Sequence, residues 1–118
     1  MLFERYSFVA LTTTNLARAR SFWSEQLGFP ISEEAPGQFV IVDAGGLRLC
    51  LDLDDGDIHL AGGTDPVIGL KVKSLSETLA ALKDRGVCPE RGPVNNRSGS
   101  YAVIRDPDGH ALIVTETD

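Results

Sequence analysis

Asn15-Leu16-Ala17-Arg18-Ala19-Arg20-Ser21-Phe22-Trp23-Ser24-Glu25-Gln26-Leu27-Gly28-Phe29-Pro30 holds a helix with both of its ends in one stretch. Asn15 stands where an N-cap belongs, its side chain able to accept from the first free N–H groups. Leu16, Ala19, Phe22, Trp23 and Leu27 then recur at a helical period. Gly28 supplies the left-handed position that closes a helix, and Pro30 cannot continue one. Trp23 falls on the apolar stripe, which predicts packing against a sheet.

Strand patterns flank this helix. Tyr6 to Thr13 is β-rich upstream, and downstream come Gln38 to Asp43, a Gly45-Gly46 turn, and a strictly alternating run from Leu47 to Leu53. Short strands near Ile31 to Glu34 and Val87 to Val94 are also predicted. The same plan then returns. Val67 to Lys73 alternates, Ser74 or Ser76 caps, Leu75, Leu79 and Leu82 form a stripe, and Gly86 ends it. Tyr101 to Arg105 is a strand, Asp106-Pro107-Asp108-Gly109 a turn, and Ala111 to Thr115 a last strand. Asn15 maps to Ser74, Gly28 to Gly86 and Gly46 to Gly109, at offsets of 59, 58 and 63.

The expected fold is therefore α+β: a single domain over residues 1–118, built from two tandem βαβββ modules. Repeat one covers about 5–54, a polar Gly- and Asp-rich linker about 55–65, and repeat two about 66–117. Paired, curled mixed sheets would enclose a cup, with the helices outside. Side chains alternate across a strand. Leu47, Leu49, Leu51 and Leu53 therefore meet the helix, whereas Arg48, Cys50 and Asp52 line the cup. Strand one adds Phe8, Ala10 and Thr12. The second repeat adds Val67, Gly69 and Lys71, then Ala111, Ile113 and Thr115. Tyr101 shares one face of its strand with Val103 and Arg105, and is included among the ligand-binding candidates.

With 118 residues and a net charge of −6, nothing concentrates enough Lys and Arg to neutralise phosphates, which excludes nucleic acid and anionic membranes as expected partners. No apolar run approaches a membrane span, and the first residues carry no secretory pattern, so a cytoplasmic location is expected. Cys50 and Cys88 read as reduced, half-buried thiols in strands. His59, beside Asp54, Asp55 and Asp57, invites a metal reading, but a solvated loop accounts for it. By alternation, His110 falls on the helix side with Leu112, a structural position. Arg48, Asp52 and Lys71 would be costly inside a cup unless paired together, as Arg48–Asp52 or Lys71–Asp52, or met by a ligand. Asn95 to Gly99 reads as a polar loop.

Phe8-Val9-Ala10-Leu11, Asn15-Leu16-Ala17-Arg18-Ala19, Phe22-Trp23 and Leu27-Gly28-Phe29 together resemble the opening of the vicinal oxygen chelate superfamily. Its members include glyoxalase I, extradiol dioxygenases and the bleomycin- and fosfomycin-resistance proteins. Asp106-Pro107-Asp108-Gly109-His110 is similar to the loop that family sets before its last strand. Leu47-Arg48-Leu49-Cys50-Leu51, and Asn96-Arg97-Ser98 leading to that loop, look closest to fosfomycin-resistance proteins. The resemblance implies a homodimer. It also implies a metal held by His at the start of each half and Glu on a last strand. Those places fall here on Phe8, Val67 and Ile113, with Cys50 as the first-half counterpart of Ile113. A divalent ion needs several converging N or O donors at about 2.0–2.3 Å, and this set does not supply them.

The expected function is thus metal-free binding of a small molecule, antibiotic or metabolite, with no cofactor and leaning away from catalysis. The alternatives are a glyoxalase, dioxygenase or fosfomycin-type transferase with an atypical metal site, for instance around His59, and a non-catalytic interaction domain whose cup is filled.

Overall fold

The computed structural model of the chain describes residues 2, 8–53, 68–96 and 99–117. It divides into two compact units, Met1–Gly63 and Thr64–Asp118. Among the described residues, no helix is long and apolar enough to cross a membrane.

The first unit runs β1 (Val9–Thr13), α1 (Leu16–Arg20), a π-helical turn (Ser21–Gln26), β2 (Ile31–Ala35), β3 (Phe39–Ala44) and β4 (Leu47–Leu53). Its four strands lie in the order β1-β4-β3-β2, with β1 parallel to β4 and the other pairs antiparallel. Parallel neighbours need a long crossover, and the helix that follows β1 begins it. Asn15 caps α1 as expected: its Oδ1 accepts from the Arg18 N–H at 3.0 Å. The Thr13 hydroxyl, buried at the strand end, accepts from the Asn15 N–H and donates to the Asn15 carbonyl, each at 3.1 Å.

The helix α1 packs on β3 and β4. Ala19, Phe22 and Trp23 on the helical side, and Leu11, Val40, Val42, Leu49 and Leu51 on the strands, form the core of this unit. The helical stretch differs from the regular α-helix that its spacing predicts. The Leu27 N–H reaches the Phe22 carbonyl at 2.9 Å, an i→i+5 bond. Phe22 and Trp23 stay neighbours inside this widened turn, their rings edge to face at 5.7 Å, and Phe29 stacks on Trp23 at 6.1 Å.

The second unit runs β5 (Ile68–Lys71), α2 (Leu75–Asp84), β6 (Arg91–Asn96), β7 (Gly99–Arg105) and β8 (Ala111–Thr117). Its sheet has the order β5-β8-β7-β6, with β5 parallel to β8. Each unit therefore repeats the βαβββ plan with one mixed, unclosed sheet. Ser74, not Ser76, caps α2, accepting from the Glu77 N–H at 3.3 Å. A second cap comes from the sheet, where Glu116 Oε1 accepts from the Leu75 N–H at 2.7 Å. Leu75, Leu82, Val87, Ala102, Ile104, Leu112 and Val114 are the buried residues on which α2, β7 and β8 meet.

Two local readings are corrected. Asn95, Asn96 and Gly99 belong to strands rather than to a loop, with Asn96 directly opposite Gly99. Polar side chains do not prevent a ladder, because the backbone supplies its bonds. Cys88 sits in the connection after α2 and is exposed, because the strand there begins only at Arg91; Cys50 is buried in β4, and both thiols are free.

Candidate functional site

Strand register decides which side chains share a face. In the first unit Val9, Leu11 and Thr13 lie level with Leu49, Leu51 and Leu53, on the side that meets α1. Ala10 and Thr12 therefore stand on the far face, level with Cys50 and Asp52. Across β3, Ile41 lies beside Cys50, Phe39 beside Asp52, and Asp43 beside Arg48. Ala10, Thr12, Arg48, Cys50 and Asp52 are thus brought together, as alternation predicts. Phe8 immediately precedes β1 and is 51% exposed, unusual for a large apolar side chain.

In the second unit the far face holds Gly69 level with Ile113, and Lys71 level with Thr115. Val103 flanks Ile113 and Tyr101 flanks Thr115, so Tyr101 takes the same side as Lys71 and Ile113. Val67 and His59 lie outside the described residues. Sequence reading passed over Phe39, Ile41 and Glu33 on the first far face. Pairing outward from the two-residue Gly45-Gly46 turn, which sets Ala44 against Leu47, brings Ile41 opposite Cys50 and Phe39 opposite Asp52. Glu33 has no such signal, because β2 slips by one residue between Ile31 and Glu33.

That slip changes the expected ion pair. The Arg48 Nη2 atom lies 3.4 Å from Glu33 Oε2, so the arginine meets a carboxylate across the sheet on β2. Beside them, burial pushes the Cys50 thiol above the usual range, and the charge of Asp52 adds to this while that of Arg48 opposes it. A protonated thiol is a poor metal ligand. Phe8 and Ile113 carry no donor atom at all. The residues at the places where the resemblance puts a metal ion therefore do not fit one. Among the described residues, no three His, Cys, Asp or Glu side chains converge elsewhere either.

The Asp106 turn is structural. Its carboxylate accepts from the His110 N–H at 2.8 Å and the Asp108 N–H at 3.0 Å, and the Asp106 N–H donates to the His110 carbonyl at 3.0 Å. Burial pushes the Asp106 carboxyl upward, and the two N–H donors offset part of that shift. His110 is itself buried on the helix side. A separate cavity of about 320 Å³ opens in the first unit, lined by Leu16, Ala17, Arg20, Glu34, Phe39 and Val40 among others. The Arg20 Nε atom donates to Glu34 Oε2 at 2.9 Å at its edge.

Comparison with known proteins places this arrangement. The sequence profile of the Glyoxalase/Bleomycin resistance protein/Dioxygenase superfamily matches residues 5–114. A search of curated proteins found no match. Among solved structures, TnmS3, an antibiotic binding protein from Streptomyces sp. CB03234, is similar with a TM-score of 0.79 and 24% identity, over 100% of this chain and 99% of that one. TioX from Micromonospora sp. ML1 is similar with a TM-score of 0.76 and 19% identity, over 96% of this chain and 100% of that one. Lactoylglutathione lyase from Agrobacterium tumefaciens follows the same fold with a TM-score of 0.75 and 18% identity, over 95% of this chain and 92% of that one.

Proposed function

The chain belongs to the glyoxalase/bleomycin resistance protein/dioxygenase superfamily, and we propose that it binds a small molecule on the far faces of its sheets without a metal ion. The observation that carries this reading is the donor chemistry. Phe8, Cys50 and Ile113 stand where the resemblance puts metal ligands, and they offer apolar surface and one protonated thiol instead. An apolar floor with a few fixed polar groups is the usual composition of a small-molecule site. On the far face of the first unit Ala10 and Ile41 supply such a floor and Thr12 and Asp52 the polar groups. On that of the second unit Val103 and Ile113 supply the floor and Lys71 and Tyr101 the polar groups. The similarity to TnmS3, named as an antibiotic binding protein, supports sequestration of an antibiotic or metabolite as the biological role. The reading includes a homodimer in the cytosol, checked by light scattering and by fractionation.

Thermal melting against a panel of aromatic and glycopeptide antibiotics tests it. A ligand present at a hundred times its Kd stabilises by about 2.7 kcal/mol, which moves the midpoint by several degrees. Absence of any shift across the panel would count against binding. Near-stoichiometric Zn, Mn, Ni or Fe in protein purified without chelators would overturn the metal-free part.

A further inference from the structure

Three hydrogen-bond donors stand in one row on the far face of the second unit. Lys71, Thr115 and Tyr101 occupy directly opposed positions on β5, β8 and β7. Neighbouring strands lie about 4.8 Å apart, so the row spans roughly 10 Å. None of the three side chains has a hydrogen-bond or ion-pair partner among the described residues. Three arginines of the sheets and helix do have partners: Arg20 meets Glu34, Arg48 meets Glu33, and Arg105 meets Glu90 at 2.6 Å.

The neighbouring row, two residues along the strands, is apolar. It consists of Gly69, Ile113 and Val103, with the latter two half-buried. A Cβ built on Gly69 would meet nothing within 4 Å, so the missing side chain leaves open space beside Ile113. Arg91, opposite Val103 on β6, adds a second exposed cation at the margin. A chain of net charge −6 thus presents a locally basic, donor-rich strip beside an apolar row with open space at Gly69.

We propose that this strip selects ligands that are anionic: a flat apolar body lies over Gly69 and Ile113, and its carboxylate or phenolate oxygen is held by Lys71, Thr115 and Tyr101. This rests on the small-molecule reading above and narrows it to a charge class. A charge-assisted hydrogen bond is roughly twice as strong as a neutral one, so the lysine contributes most of the discrimination.

Three naphthalene probes of the same shape test the inference: 2-naphthoate, 2-naphthylmethanol and 2-naphthylmethylammonium. Binding is followed by amide chemical shifts in the full-length protein. The expected result is that naphthoate binds about tenfold or more tightly than the alcohol, with shifts centred on Gly69, Lys71, Tyr101 and Thr115. Lys71→Met should erase that preference by weakening naphthoate much more than the alcohol, and Tyr101→Phe should reduce it in part. Gly69→Val should weaken both probes by filling the space over Gly69. Equal binding of acid and alcohol, or a preference for the ammonium, overturns the anionic selection while leaving small-molecule binding standing. Shifts confined to other residues overturn the placement. No shift from any probe, together with no hit from the antibiotic panel, brings down both readings.

Discussion

Gly92 approaches Tyr101 so closely that a Cβ added to it would stand 2.8 Å from the Tyr101 carbonyl oxygen and 2.9 Å from the Ala102 Cα. Its φ of +100° is also one that side-chain-bearing residues avoid. Gly92→Ala should therefore cost about 1–3 kcal/mol and displace β6 from β7. Gly69→Ala, with open space around the new methyl, should leave stability unchanged or raise it by about 0.4–1 kcal/mol. Urea denaturation of the two variants reads the contrast. Equal losses from both would refute the close approach.

The two thiols should differ sharply in reactivity. Cys88 is exposed, whereas Cys50 is buried and held protonated by its surroundings. At pH 8 a disulfide reagent should modify one thiol per chain rapidly and the second at least tenfold more slowly. Mass mapping should place the rapid label on Cys88. Fast labelling of Cys50 in the native state would contradict its burial.

Acidification should strengthen the native state through Asp106. Its carboxyl is raised in the fold, chiefly by burial. The folded state therefore binds the proton more readily, and this contribution to stability falls as pH rises through the folded value. Conversely it is gained as pH drops, and is complete below the unfolded carboxylate value of about 3.9. Asp106→Asn keeps an acceptor for the Asp108 and His110 N–H groups but cannot titrate. The stability of the native protein relative to this variant should climb between pH 7 and pH 4. A flat or opposite trend in denaturation midpoints would sink the assignment.

Trp23 is fully buried, and its indole N–H has no acceptor among the described residues. Trp23→Ala should cost about 3–5 kcal/mol through the lost contacts with Phe22 and Phe29. Trp23→Phe should cost clearly less, since it also removes a donor that gains nothing from burial. Calorimetry of both variants separates packing from polarity. A phenylalanine variant as unstable as the alanine one would show that the N–H is satisfied after all.

Much of this was readable from residue order. Asn15, Ser74, Gly28 and Gly86 mark helix ends by local chemistry, and they do so whatever packs above them. Strand parity placed Ala10, Cys50, Asp52 and Ile113 on the correct faces because alternation is a property of the backbone alone. The features that escaped depend on non-local pairing. The π-helical turn leaves Phe22 and Trp23 on the same apolar side as an α-helix would, so periodicity cannot reveal it. The Glu33–Arg48 pair follows from the one-residue slip in β2, which only the register against β3 exposes. β6 begins at Arg91 rather than near Val87, and its pairing with β7 is interrupted between Arg91 and Val94, at Gly92 and Pro93.

The alternation of faces has an evolutionary consequence. Along β4 and β8 every second residue holds the helix in place, and each one between is excused from that duty. Thr12, Asp52 and Phe39 form one row, and Lys71, Thr115 and Tyr101 form its counterpart in the other repeat. The two rows differ in charge, while the residues behind them in both repeats are leucines and valines such as Leu49, Leu51, Leu112 and Val114. A lineage carrying this chain can change what these rows present one codon at a time, and its melting temperature need not follow.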